Sequence, residues 1–236
     1  MGCDIHIYVE RKNDNGVWEA ILGANPWIST YKDWAEKDDI EGRKQYLLNR
    51  SIEIEKEEPK ILEGWIYDGR NYNLFAILAD VRNYYNVRPI DYPRGLPNDV
   101  SDVVKQESDD WNGDGHSHSY YTFEELMQFD WDNNYVENEG FVSEEVYKQF
   151  KETGNPYPCS KGVGGGNVEK VLNCEMDRII KNKYPWEKEK SFYTIIKWKE
   201  SYAEVAEGFL NNIKKYILDN NICDIKNYRI VFWFDN

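Results

Sequence analysis

The sequence predicts an α+β protein, with a mixed, largely antiparallel sheet and packed helices, in a single domain with an inserted middle region. Three observations carry this expectation. Ile5, Ile7 and Val9 alternate with His6 and Tyr8, and a second short apolar run follows Asn15-Gly16, a strong hairpin signal. Strand and helix patterns then interleave irregularly, which disfavours a doubly wound sheet built from repeating units. Several helices also announce their starts through Ser or Thr caps.

Taken in order, residues 4 to 10 read as the first strand and Val17 to Leu22 as its hairpin partner. In that strand Asp4 and His6 share the face opposite Ile5, Ile7 and Val9. Residues 27 to 63 mix aromatics, acids and lysines without a clean period and are expected to form an inserted lobe, with Glu53 to Lys60 a solvated excursion. Trp65 to Tyr67 is a short strand candidate. Leu74, Phe75, Ile77 and Leu78 predict a buried helix over residues 73 to 81. Pro89 to Pro97 holds three prolines and predicts an extended loop. Asn98 or Asp99 is expected to cap a helix over Val100 to Glu107.

His116 to Tyr121 reads as a loop entering or leaving a strand. Thr122-Phe123-Glu124-Glu125 is a capping box that opens a helix through Phe129. Ser143 caps a helix over Glu144 to Glu152, with Gly154 as its stop. Residues 154 to 167 are rich in Pro and Gly and predict a flexible loop. Val168 to Lys183 reads as a helix, Phe192 to Trp198 as a strand, Tyr202 to Leu218 as an amphipathic helix and Tyr228 to Phe234 as the last strand. Its density of aromatics suggests a central place in the sheet.

Composition narrows the function classes. The formal net charge is -14, which opposes binding to duplex nucleic acid, since phosphate neutralisation needs Lys and Arg on one face. A small anion needs only a local arginine. Nine Trp and eighteen Tyr supply rings for a core and for ligand stacking. None of the four cysteines forms a Cys-x-x-Cys pair, so a zinc ribbon is not expected. No run approaches transmembrane length. The expectation is a cytoplasmic protein with reduced thiols and no membrane contact.

All three histidines lie in two short acidic segments, Asp4-Ile5-His6 and Asp114-Gly115-His116-Ser117-His118-Ser119. Imidazole titrates near neutrality and ligates metals. Asp4, His6, His116 and His118 could together hold Zn²⁺ or Mn²⁺ with a position left for an attacking water, and Asp114 could then act as general base. Alternatively His6 fills a polar sheet position and the loop histidines cap carbonyls. Arg70-Asn71-Tyr72 and Tyr92-Pro93-Arg94 each place a guanidinium beside a ring in a turn-rich loop. Arginine grips phosphate through two hydrogen bonds, and a tyrosine can stack on a base. The competing reading pairs each arginine with surface acids. Gly162 to Asn167 lacks the Gly-Lys-Ser/Thr ending of a P-loop and reads as a flexible loop. No nucleophilic triad or Cys/His dyad can be assembled, so no catalytic residue is assigned.

Several blocks resemble a family of uncharacterised phage and prophage proteins. They are Met1-Gly2-Cys3-Asp4-Ile5-His6, the stretch from Arg70 to Arg82, Pro93 to Ser101, Asp114 to Ser119, and Val231-Phe232-Trp233-Phe234-Asp235-Asn236. The likeness runs from end to end but is less clear over residues 27 to 60 and 130 to 190. It implies a phage accessory protein acting in the cytoplasm of an infected bacterium, of a kind that defeats immunity by binding or cleaving nucleotide messengers.

Two functions follow from these readings. The first is a protein that sequesters a small anionic nucleotide-like ligand, such as a cyclic dinucleotide or a cyclic ADP-ribose isomer, without a cofactor and as a homo-oligomer. Its ligand-binding residues would be Asp4, His6, Arg70, Asn71, Tyr72, Arg94, His116, His118, Tyr120 and Trp233. The second is a divalent-metal phosphodiesterase built on Asp4, His6, His116 and His118.

Overall fold

Strand β1 (Ile5–Lys12) alternates buried Ile5, Ile7 and Val9 with half-buried His6 and Tyr8. It turns at Asn13 to Gly16, where Gly16 takes a φ of 79°, and returns as β2 (Trp18–Ala20). The computed structural model describes residues 2–22, 26–56, 66–156, 163 and 166–236.

Two helices follow, α1 (Pro26–Lys37) and α2 (Glu41–Lys56), packed on each other in the region read as an inserted lobe. Of the charged excursion, residues 53 to 56 end α2 and residues 57 to 60 lie outside the described residues. Trp65 lies outside them too, and Ile66 and Tyr67 are not in a strand. Helix α3 (Tyr72–Ala79) starts where the Asn71 side chain accepts the Leu74 amide, and six of its residues are buried. Helix α4 (Asp102–Asp110) is capped by Ser101 rather than by Asn98 or Asp99. Its hydroxyl stands three residues before Val104, the reach a cap requires. Strand β3 (His116–Thr122) runs into α5 (Phe123–Gln128) through the Thr122/Glu125 capping box.

The next elements form a separate sheet. Strand β4 (Tyr135–Ser143) is followed by α6 (Glu144–Thr153), capped by Ser143 and closed by Gly154 at φ 72°. The single helix expected over 168 to 183 is instead the short strand β5 (Val168–Lys170) and helix α7 (Asn173–Lys181). Of the Gly/Pro loop, residues 157 to 162, 164 and 165 lie outside the described residues. Strand β6 (Ser191–Ser201) pairs antiparallel with β4 and parallel with β5. Val142, Tyr147, Met176, Ile179, Phe192, Ile196 and Trp198 form its core. One turn of helix, α8 (Tyr202–Val205), ends this unit.

Helix α9 (Glu207–Asp219) buries Phe209, Leu210 and Ile213, and strand β7 (Tyr228–Phe234) completes the first sheet. That sheet is wholly antiparallel, in the order β2-β1-β7-β3. Both sheets together give the α+β class that the sequence predicts, and β7 is central. Contacts divide the chain into two units, residues 1–130 with 206–236, and residues 131–205. The interruption in chain order thus falls at 131–205, whereas residues 26 to 56 belong to the first unit.

The two faces of the first sheet differ. Ile5, Ile7, Phe232 and Phe234 face α3, where Phe75 meets Phe234 at 5.0 Å between ring centres and Tyr121 donates to the Leu78 carbonyl. His6, Tyr8, Val231 and Trp233 face α4, whose Val104 joins Val231 and Trp233 in a buried cluster.

Candidate functional site

The site is built around Trp233, opposite His6 in the ladder. Trp233 is fully buried, and its ring stacks on Tyr8 at 4.7 Å, on His118 at 5.5 Å and on His6 at 6.2 Å. Trp111, just past α4, closes on His6 at 4.1 Å. Rings from three strands and one helix end therefore meet on the α4 side. The sequence reading did not include Trp111. Its signal was present, since Val104, Ser108 and Trp111 recur at helical spacing on one face, immediately before the histidine segment.

His118 comes to this side because β3 is irregular. Ser117 takes a φ of 52°, and the register shifts between His116, opposite Phe234, and Ser119, opposite Phe232. Three residues of β3 thus span two of β7, and an extra residue reverses the alternation of side chains. His116 falls on the Phe234 face, 6.1 Å from that ring, while His118 falls on the Trp233 face. His118 Nε2 is hydrogen-bonded to Ser108 Oγ at 2.8 Å, and His116 Nδ1 to Ser117 Oγ at 3.0 Å. Gly115 makes room for this crossing, since a Cβ there would sit 3.1 Å from Trp111 Cβ.

The surface end of the cluster is charged. Arg70 grips Asp4 through two hydrogen bonds of 2.8 and 2.6 Å. Asp235 accepts from the Asp4 amide at 2.9 Å and stands 3.4 Å from His6 Nε2. Gly2 packs so closely on the Arg70 guanidinium that a Cβ would lie 2.4 Å from Nη1. Arg82 donates to the Asn236 side chain at 2.7 Å, beside buried Cys3.

Burial sets the protonation of the rings. It pushes His6 below the usual imidazole range, against the opposing pull of Asp235 and Asp4. It lowers His118 likewise, with His116 adding to the effect. The hydrogen bonds from Arg70 hold Asp4 below its ordinary value. Burial and neighbouring Glu107 raise Tyr8 well above the usual phenol range. The interior rings are therefore neutral near pH 7, and the charge lies at the mouth.

The remaining sequence-predicted residues have other partners. Asn71 caps α3, and the Tyr72 ring meets Phe75 and Tyr84. Arg94 is held by Asp91, Glu125 and the Tyr120 carbonyl and lies 4.5 Å from the Tyr121 ring, so it is not beside Arg70. The Tyr120 ring lies between Arg94 and Arg229, at 5.5 and 5.8 Å. The four-ligand metal set is also divided. His116 is across the sheet from His6 and His118, and both Asp4 oxygens are taken by Arg70. Among the described residues no group of three or more His, Cys, Asp or Glu is arranged to hold a metal ion.

Trp233 Nε1 and His116 Nε2 are buried with no hydrogen-bond partner among the described residues, and His6 Nε2 has only Asp235, at 3.4 Å and poorly aligned for a hydrogen bond. All three lie at this end of the sheet. Such atoms cost free energy, of order 1–3 kcal/mol each, unless something satisfies them. The indole N–H can only donate, so what satisfies it must be an acceptor. No protein-family model, no curated protein and no solved structure matches this chain.

Proposed function

We propose that this chain is a small-molecule-binding protein that takes up a nucleotide-like anion at the cluster of His6, Trp111, Trp233 and His118, with Arg70 at its mouth. The observation that supports this reading is the buried, unpartnered Trp233 indole N–H set among the stacked rings of Tyr8, His6 and His118. A heterocyclic base offers a flat π-face for Trp111 and lone pairs for the indole N–H. One edge of the Arg70 guanidinium is occupied by Asp4, and Nη1 has no hydrogen bond among the described residues, which leaves it for a phosphate oxygen. In the phage setting that the sequence resemblance implies, binding would withdraw a nucleotide signal from host defence.

Titration calorimetry with cyclic dinucleotides and cyclic ADP-ribose isomers tests the proposal. The expected result is one nucleotide bound with a Kd in the micromolar range or below, quenching of tryptophan fluorescence, and recovery of the same nucleotide intact after the protein is denatured. Affinities all weaker than about a millimolar, or binding unaltered by Arg70→Ala and Trp111→Ala, would remove the reading.

A further inference from the structure

A second surface lies at the far edge of the first sheet. Strand β2 pairs with β1 alone, so its other side is an edge among the described residues. The Asn13 amide donates to the Val17 carbonyl at 2.8 Å and the Ile21 amide to the Val9 carbonyl at 3.0 Å. Residues 17 and 21 thus turn their backbone groups toward β1. In an antiparallel ladder the alternate residues turn theirs away, so the N–H and C=O groups of Trp18 and Ala20 point outward.

Beside this edge runs a groove of about 600 Å³ between β2 and the start of α4. Trp18 and Ala20 form one wall, and Val100 and Val103 the other. Trp18 is a firm wall, because both Arg229, at 4.1 Å, and Lys12, at 4.8 Å, pack on its ring. Val103 and Val17 are exposed aliphatic side chains at its margins. The lining also carries Glu19, Asp99 and Asp102. Arg229 neutralises Asp99, but Asp102 has no ion pair among the described residues.

We propose that this edge and groove bind an extended, basic segment of a partner protein, which adds to β2 as a further strand. Main-chain hydrogen bonds to Trp18 and Ala20 hold it. Its apolar side chains enter the groove against Val100 and Val103, its alternate lysines or arginines lie on the face of Glu19, which also accepts from Asn13, and Asp102 at the groove favours a basic residue at the segment's end. A second copy of this chain fits less well. It would bring the same carboxylates face to face on two molecules of net charge -14 each.

The probe is a fluorescently labelled peptide of alternating valine and lysine, measured by anisotropy on the full chain. The comparison peptides are one N-methylated on alternate amides, in both phases, and one with the same residues in blocks. The alternating peptide should bind saturably. The blocked order and at least one N-methylated phase should weaken binding roughly tenfold, because charge is unchanged and only strand pairing is lost. Ala20→Pro removes an outward N–H without touching the ladder to β1 and should weaken binding similarly, with the parent's thermal transition retained. If that variant fails to fold, the N-methylated peptides still decide. Equal affinity for all peptides, or sedimentation showing that the edge pairs with a second copy, overturns the proposal.

Discussion

Arg229 and Glu10 form an ion pair of 2.7 Å whose side chains are 3% and 0% exposed. They are cross-strand neighbours on β7 and β1, on the α4 side. The second Glu10 oxygen accepts the Ser101 amide at 2.8 Å, and Arg229 also donates to Asp99 at 2.7 Å. One pair therefore joins the sheet to the start of α4. Removing Glu10 leaves buried Arg229 with only the exposed Asp99 as counter-charge and strips the Ser101 amide of its acceptor, so Glu10→Ala should cost about 3 kcal/mol in urea unfolding. Replacing both residues with Met should recover much of that loss. A cost below about 1 kcal/mol for the single variant would contradict the arrangement.

The shift in β3 rests on Ser117 at positive φ. A β-branched side chain is strained there, and glycine is not. Ser117→Val and Ser117→Gly both lose the 3.0 Å bond to His116, so their comparison isolates the backbone effect. Ser117→Gly should be the more stable by roughly 1–2 kcal/mol. Equal stabilities in denaturant titrations would argue for a regular strand.

Stability should fall on mild acidification. His6 and His118 both titrate below 6.5 in the folded chain, because burial disfavours the imidazolium. As pH drops below 6.5 the unfolded rings take up protons that the folded rings refuse, so the unfolded state gains. The contribution is complete above 6.5 and is lost as pH falls through the lowered values. Asp4 acts in the same direction at lower pH, its contribution complete above 3.8 and lost as its folded carboxylate protonates. The thermal midpoint should decline as pH falls below 6.5, and His118→Gln should reduce that decline. A midpoint flat over this fall in pH would refute the assignment.

Gly2 offers a substitution that separates stability from binding. A Cβ at this position would displace the flexible end of Arg70, not the backbone. Gly2→Ala should leave unfolding free energy within about 0.5 kcal/mol of the parent. If Arg70 holds a phosphate, nucleotide affinity in calorimetry should nevertheless drop roughly tenfold. Unchanged affinity would place the ligand away from Arg70.

How far the sequence foretold this structure depends on range. Local signals were readable, including the hairpin at Asn15-Gly16, the capping box at Thr122 and the buried face of α3. Pairing β7 between β1 and β3 was hinted at only by its aromatic density, because strand order depends on partners more than a hundred residues away. Strand β4 was missed, since Glu137, Asn138, Glu139 and Gly140 interrupt its apolar pattern. The histidines looked equivalent in sequence, and period-2 alternation alone puts His116 and His118 on one face. The positive φ of Ser117 divides them, and serine does not advertise that conformation as glycine would. Arg94 and Arg70 were likewise indistinguishable until their carboxylate partners were known.

The central position of β7 has a consequence for biosynthesis. Strands β1 and β3 hydrogen-bond to it and not to each other. A nascent polypeptide cannot close this sheet until residues 228 to 234 have left the ribosome, whereas residues 131 to 205 contain every strand of their own sheet and can mature earlier. Until then the apolar side of β1 waits uncovered on its β7 edge, a window in which a chaperone or a sticky neighbour competes with the native partner.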